Sequence, residues 1–255
     1  MKTKTLIHGL WNLSLACFLI AMPRTAEAQT VKEEYPSFTH NNEPDGTLYL
    51  PAPPDTLSQN YVNDMVQYVW GKTQRRGARG RQAVFDSYMT TDSVVVGFSE
   101  AFGYSMSKTA TPAIYDLVAK TISDAVYATK KIKKHYQRRR PFVQFGDTTL
   151  IPWDEASHLK SPSYPSSHAA AGWAVALVLS ELNPDRAEPI LKRGYEFGQS
   201  RVIAGYHYQS DVDVARLAAS AAVARIHTTA AFTEAMKKAR KELNMERKKS
   251  QTTMR

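Results

Sequence analysis

The sequence predicts an all-α protein folded as a single compact helical bundle. Three observations carry that prediction. From Thr56 onward apolar residues recur at three- and four-residue intervals. No stretch alternates apolar and polar residues with the period of two that a half-buried strand shows. Finally, 43% apolar and 22% charged residues in a chain of 255 are ordinary globular usage, enough for the core of one sizeable domain. That composition excludes a disordered tail protein, a collagen and a disulfide mini-scaffold.

The first residues read as a processing segment and not as part of the fold. Lys2 and Lys4 make a basic start, Leu10 to Met22 is mostly apolar, and Ala26-Glu27-Ala28 is the small-x-small pattern of a cleavage site. Residues 1–28 are thus expected to be a signal peptide, which implies export; the apolar run is too short for a membrane span. Cleavage would also remove Cys17, the sole cysteine, and with it all thiol chemistry. Residues 29–55 hold five prolines and read as an extended N-terminal arm, packed on the body or on a neighbouring subunit of a homo-oligomer.

The helical domain is expected over 56–236. Tyr61, Met65, Tyr68 and Val69 mark one apolar face, and Gly77 and Gly80 break that helix. Val95, Phe98, Phe102 and Met106 mark a second, with Asp92 as its cap. Thr111-Pro112 is a helix start, and Ile114, Leu117, Val118, Ile122, Val126 and Ile132 carry that helix past Lys133. Residues 141–164 have no period and read as one long loop, a common place for function. Further helices are expected from Ala169 to Leu182, Ala187 to about Phe197, and Asp213 to about Phe232, the last rich in alanine and so suited to close packing.

The formal net charge of +9 is not a property of this domain. Lys2, Lys4 and Arg24 against Glu27 leave with the first segment, and eight bases against two acids lie in a basic C-terminal tail at 237–255. The body keeps about +1. The high pI is therefore no footprint for a nucleic-acid polymer, and the tail reads as a solvated helix end.

Three short clusters carry the chemistry: Lys133 with Arg140-Pro141, then Pro165-Ser166-Ser167-His168, then Ser200-Arg201 with His207 and Asp211. Taken singly each is bland. Lys133 sits among Lys130, Lys131 and Lys134, Arg140 ends an arginine triplet, and His207 with Asp211 at i, i+4 could be a surface pair. Together they suit a phosphate monoester. Lys133, Arg140 and Arg201 supply three positive charges and two guanidinium forks. Ser166 adds a hydroxyl, and a helix beginning near His168 points N–H groups at the same anion. Two histidines suit a nucleophile and a general acid, with Asp211 to orient His207. No cluster of His, Cys and carboxylates has metal-ligand spacing, so neither a metal nor another cofactor is expected.

The ten positions of K-x6-RP, PS-x-H and SR-x5-H-x3-D, joined by segments of 23 and 31 residues, resemble the signature of the type-2 phosphatidic acid phosphatase (PAP2) and vanadium haloperoxidase-like superfamily. Thr111-Pro112-Ala113-Ile114-Tyr115, Ser163-Tyr164-Pro165-Ser166 and Leu191-Lys192-Arg193-Gly194-Tyr195-Glu196 make the chain, from about residue 48 to 232, similar to the class A bacterial nonspecific acid phosphatases. The resemblance implies a secreted, metal-independent helical bundle that hydrolyses a broad range of phosphomonoesters through a phosphohistidine, with phosphotransfer as a side activity. It implies that His207 attacks phosphorus, Asp211 orients it and His168 protonates the leaving group. Lys133, Arg140, Ser166, Arg201 and the backbone N–H of Ser167 would hold the phosphoryl oxygens. Inorganic phosphate or vanadate would be ligands of the same site.

Three departures and two rival readings accompany that resemblance. The family usually has glycine where Ser167 stands and threonine where Ala169 stands; a positive φ at 167 would cost serine roughly 1 kcal/mol. The family's frequent cysteine pair is missing. A vanadium-dependent haloperoxidase would use the same anion cage, but the chain is small and carries the class A stretches. A non-catalytic phosphate-binding protein would need the cage but neither His168 nor His207.

Overall fold

The structure, a computed structural model, describes residues 37–39 and 42–253, so the expected signal peptide lies outside the described residues. Helix α1 (Gln59–Thr73) starts where Ser58 Oγ accepts from the Tyr61 N–H at 3.2 Å. The short α2 (Ala78–Phe85) follows the break at Gly77, and Gly80 lies inside it. In α3 (Thr91–Phe102) the capping side chain is Thr90, not Asp92, and the helix ends at Gly103 with φ 87°. Met106 lies past that end yet is buried in the core.

The long α4 (Pro112–Tyr136) begins at the expected place by a different device. Thr111 gives it no side-chain cap. Instead the buried Glu242 carboxylate reaches across from another helix and accepts from the Ala113 and Ile114 N–H groups at 3.1 and 2.9 Å. Helix α4 stops at Gln137, the one described non-glycine residue with positive φ.

The 141–164 segment holds more structure than its composition shows. Pro141 opens the short α5 (Pro141–Phe145), and a 3₁₀ turn at Pro152–Asp154 leads into α6 (Glu155–His158). These pieces are too short to display a period. Helices α7 (Ser167–Leu182), α8 (Ala187–Ala204) and α9 (Gln209–Ile226) follow, then α10 (Ala230–Thr253). The single helix expected from Asp213 to Phe232 is in fact two. Thr229 Oγ1 accepts from the Phe232 N–H at 3.2 Å and starts α10 afresh, a cap that the continuous alanine and valine pattern conceals.

Helix α7 is the centre of the molecule. It is apolar around its whole circumference, which suits a helix buried on every side. Helices α4, α8 and α9 pack around it. The approach to α8 needs small residues: a Cβ at Gly172 would stand 2.4 Å from the Phe197 ring, and one at Gly194 would stand 2.3 Å from the Ala176 Cβ. Four alanines of α9, at 215, 218, 219 and 222, are buried, which fits the close packing expected of an alanine-rich helix.

Helix α10 closes the bundle with Phe232, Met236, Ala239 and Leu243 in the core, so the charge boundary at 236 falls inside a docked helix and not at its end. The described part of the arm is pinned to the body. Phe38 meets Phe232 edge to face at 5.4 Å, its N–H donates to Asp124 at 3.0 Å, and Tyr164 Oη donates to the Pro51 carbonyl at 2.5 Å. Among the described residues the fold is all-α, and no helix is long and apolar enough to cross a membrane.

Candidate active site

Helix ends bring the three clusters to one place. The last turns of α4 present Lys133. After Gln137 the chain runs extended through Arg138–Arg140 into α5, and period two turns Arg138 and Arg140 inward while Arg139 stays exposed. Ser166 caps α7, its Oγ accepting from the Ala169 N–H at 3.3 Å, so the N–H groups of Ser167 and His168 are the first two of that helix. Helix α8 delivers Arg201 and ends at Gly205, φ 88°, where a side chain would also strike Arg75. Tyr206, His207 and Tyr208 then lead into α9, whose first turn carries Asp211.

His207 is 2% exposed and held on both nitrogens. Nε2 lies 2.9 Å from Arg140 Nη1. Because a guanidinium only donates, Nε2 accepts, and the ring proton sits on Nδ1. Nδ1 faces Asp211 Oδ2 at 3.4 Å and Ser163 Oγ at 3.3 Å. Oδ2 in turn accepts from Ser163 Oγ at 2.5 Å and from the Tyr208 N–H at 2.9 Å. The nucleophilic lone pair therefore points at the cations and away from the carboxylate.

The three cations differ in how they are satisfied. Lys133 Nζ donates to the Pro162 carbonyl at 2.7 Å. Arg140 donates to the Ser161 carbonyl at 2.9 Å and to the Tyr206 carbonyl at 3.1 Å as well as to His207. Arg201 is fully buried, lies 4.6 Å from the Tyr206 ring centroid, and none of its three side-chain nitrogens has a hydrogen-bond partner among the described residues. A surface cleft of about 570 Å³ between α2, α3 and α8 holds none of these residues.

Burial and mutual repulsion set the electrostatics. Burial, then the Arg140 charge, lowers Lys133 to about 7. Burial first and then Arg201 bring Arg140 to about 10, and burial brings Arg201 to about 10. Both histidines are pushed well below the ordinary imidazole value. Burial is the main cause for each, followed by Arg140 and Lys133 at His207 and by Arg201 at His168. His168 Nε2 lies 3.1 Å from the Ser87 carbonyl, which places a proton on Nε2 and leaves Nδ1 for chemistry.

Residues 113–234 match the PAP2 superfamily. The chain is 46% identical over 199 residues to a non-specific acid phosphatase of Providencia stuartii, a match covering 78% of this chain and 80% of that protein. The chain belongs to the PAP2 superfamily, among the bacterial non-specific acid phosphatases. A second family member, the non-specific acid phosphatase of Salmonella typhimurium, is 37% identical over 88% of this chain and 89% of its own length. The acid phosphatase of Zymomonas mobilis is 32% identical over 91% and 87%.

Within this PAP2 chain the structure brings Lys133, Arg140, His168, Arg201, His207 and Asp211 into one neighbourhood. Ser166 serves first as the cap of α7, and Ser167 Oγ shares a hydrogen bond with Thr129 Oγ1 at 2.7 Å. Ser167 has helical backbone as the first residue of α7, so the penalty attached to a positive φ there does not arise. Sequence reasoning missed Ser163, Ser87, Asp64 and Arg138. Arg138 had a usable signal: two residues from Arg140 in an extended stretch, it must share its side of the chain.

Proposed function

We propose that this chain is an exported, metal-independent acid phosphatase that hydrolyses small phosphomonoesters in the periplasm through a phosphohistidine at His207. The observation that carries the reading is the orientation of His207, with Nε2 toward Arg140 and Nδ1 toward Asp211, beside an Arg201 that has donors and no acceptor. A tetrahedral oxyanion supplies the acceptors that a buried guanidinium lacks. Its charge also relieves the repulsion among Lys133, Arg140 and Arg201.

The chemistry follows from that placement. The phosphoryl group takes the position on Nε2 that Arg140 Nη1 holds, and Arg140 turns its N–H groups to phosphoryl oxygens. The Nε2 lone pair forms the N–P bond while the P–O bond to the leaving group breaks. His168 gives its proton to the departing oxygen, and Asp211 balances the positive charge that develops on the His207 ring. Water then attacks phosphorus and returns a proton to His168. The N–P bond breaks, and inorganic phosphate leaves.

The depressed pKa values fit acidic operation. His207 must be neutral to attack, and burial among cations favours its neutral form. His168 must be protonated, and a dianionic ester in the cage moves its pKa upward from the depressed value. The positive charge that a metal ion would bring is already present in Lys133, Arg140 and Arg201. The test is a panel of aryl and alkyl phosphomonoesters at acid pH, with excess EDTA and with orthovanadate. Hydrolysis across the panel, untouched by EDTA and stopped by vanadate, is expected. Loss in EDTA that one metal restores would overturn the metal-free reading.

A further inference from the structure

Behind His207 and Asp211 lies a buried pair of charges, Arg138 and Asp64, that the reaction as written does not use. Asp211 Oδ1 accepts from Arg138 Nη1 at 2.7 Å, and Arg138 Nη2 donates to Asp64 Oδ2 at 2.8 Å. Both carboxylates are fully buried, and the arginine side chain is 10% exposed. The guanidinium lies 3.9 Å over the Tyr208 ring, and its Nη1 also donates to Ser210 Oγ at 2.8 Å. Asp64, from the middle of α1, takes the Ser210 N–H at 2.8 Å and the Ser210 hydroxyl at 2.6 Å. Ser210 is the second residue of α9, so both carboxylates sit at the positive end of that helix.

This arrangement is more elaborate than orienting one imidazole requires. Ser163 Oγ and the Tyr208 N–H already fix Asp211 Oδ2 in place. The added pair changes charge. Arg138 and Asp211 alone would cancel, and the fully buried Asp64 restores one net negative charge to the row. On its other side His207 faces Arg140, Lys133, Arg201 and His158, all of which oppose a positive imidazole, and His168 feels its charge in turn.

We propose that Asp64 and Arg138 are positioning residues that hold Asp211 and keep one net negative charge behind His207, supporting the cationic ring formed on phosphoryl attack. The proposal rests on the phosphatase reading above and adds the source of that support. It predicts which states of the site need the row. Inorganic phosphate in the cage leaves the ring neutral and does not need it. Bond formation to Nε2 does, whether by phosphorus in the reaction or by vanadium in bound orthovanadate.

The experiment compares wild type with Asp64→Asn, which keeps the acceptor for Ser210 and removes the charge. Three quantities are read on each protein: kcat on an aryl phosphate, inhibition by inorganic phosphate, and inhibition by orthovanadate. We expect kcat and vanadate affinity to fall together by about ten- to a hundredfold, as for other residues that orient a catalytic side chain. Phosphate inhibition should stay within about twofold. Should Asp64→Asn fail to fold, Arg138→Lys, which keeps the charge but cannot fork between two carboxylates, is expected to give the same pattern. A wild-type kcat overturns the proposal. So does a fall in kcat with unchanged vanadate inhibition, or an equal weakening of phosphate and vanadate. Wild type that neither turns over nor binds phosphate would instead refute the phosphatase reading.

Discussion

Two arginines, both inside this site, are satisfied in opposite ways. Arg138 is well partnered: two carboxylates and a serine hydroxyl accept from its two terminal nitrogens, and a tyrosine face lies under its charge. Against the pull of burial, those carboxylates hold its pKa above the ordinary value. Arg201 is more deeply buried, its guanidinium lies over the Tyr206 ring with no hydrogen-bond partner among the described residues, and its pKa falls. The contrast separates two jobs that composition cannot tell apart. A buried cation whose donors are all used by the protein holds the fold or another side chain. A buried cation with its donors unused is shaped for a ligand, because the cost of burying it is recovered only when an anion arrives.

The largest expected effect lies at His207, which faces the Asp211 that Arg138 holds and feels the charge of Arg201. His207→Ala should abolish turnover and also any acid-labile phosphoenzyme; labelled phosphate still trapped on the variant would remove the residue from its role. Next come the two arginines themselves. Arg138→Met strands two buried carboxylates and should cost about 3–5 kcal/mol of stability. Arg201→Met removes an unpartnered charge and should gain about 1–3 kcal/mol in phosphate-free buffer while losing nearly all activity. The check is thermal unfolding with and without phosphate. Wild type at a hundredfold excess over Kd should gain about 2.7 kcal/mol, and Arg201→Met nothing. Equal destabilisation by the two substitutions would erase the distinction drawn here.

A smaller effect is expected at the leaving-group side. His168→Ala should slow alkyl phosphates more than aryl phosphates, whose leaving groups need little protonation. Equal losses on both would move the general acid elsewhere. The smallest effect is a proton. Lys133, lowered to about 7 by burial and by Arg140, is mostly neutral at about pH 8, where phosphate is mostly dianionic. The arriving anion raises that pKa, so binding should take up protons, seen as a calorimetric enthalpy that varies with the buffer. Proton release on binding would contradict the sign.

Against the same contrast, the limits of the sequence are physical. Helices α4 and α7 and the alanine face of α9 were legible because a long helix with one buried face repeats its pattern several times. Helix α10 was merged with α9 because one threonine cap changes a single position. The short turns within 141–164 were invisible because they complete no period. Lys133, Arg140, His168, Arg201, His207 and Asp211 were recognisable by type and spacing. Arg138 was passed over in a triplet of identical residues, although an extended backbone sorts that triplet by alternation. Asp64 had no signal at all, since its partner lies 74 positions away.

By itself the sequence determined that the chain is helical, where α4 and α8 begin, and which residues offer the chemistry of an anion site, because propensity, periodicity and side-chain chemistry are local properties. Only the tertiary structure decided which nitrogen of His207 faces the cations, which arginine is left without an acceptor, and that a buried aspartate from α1 completes the charge behind the nucleophile. Those are matters of direction and of partners distant in the chain, and they are fixed when α7 is buried among α4, α8 and α9.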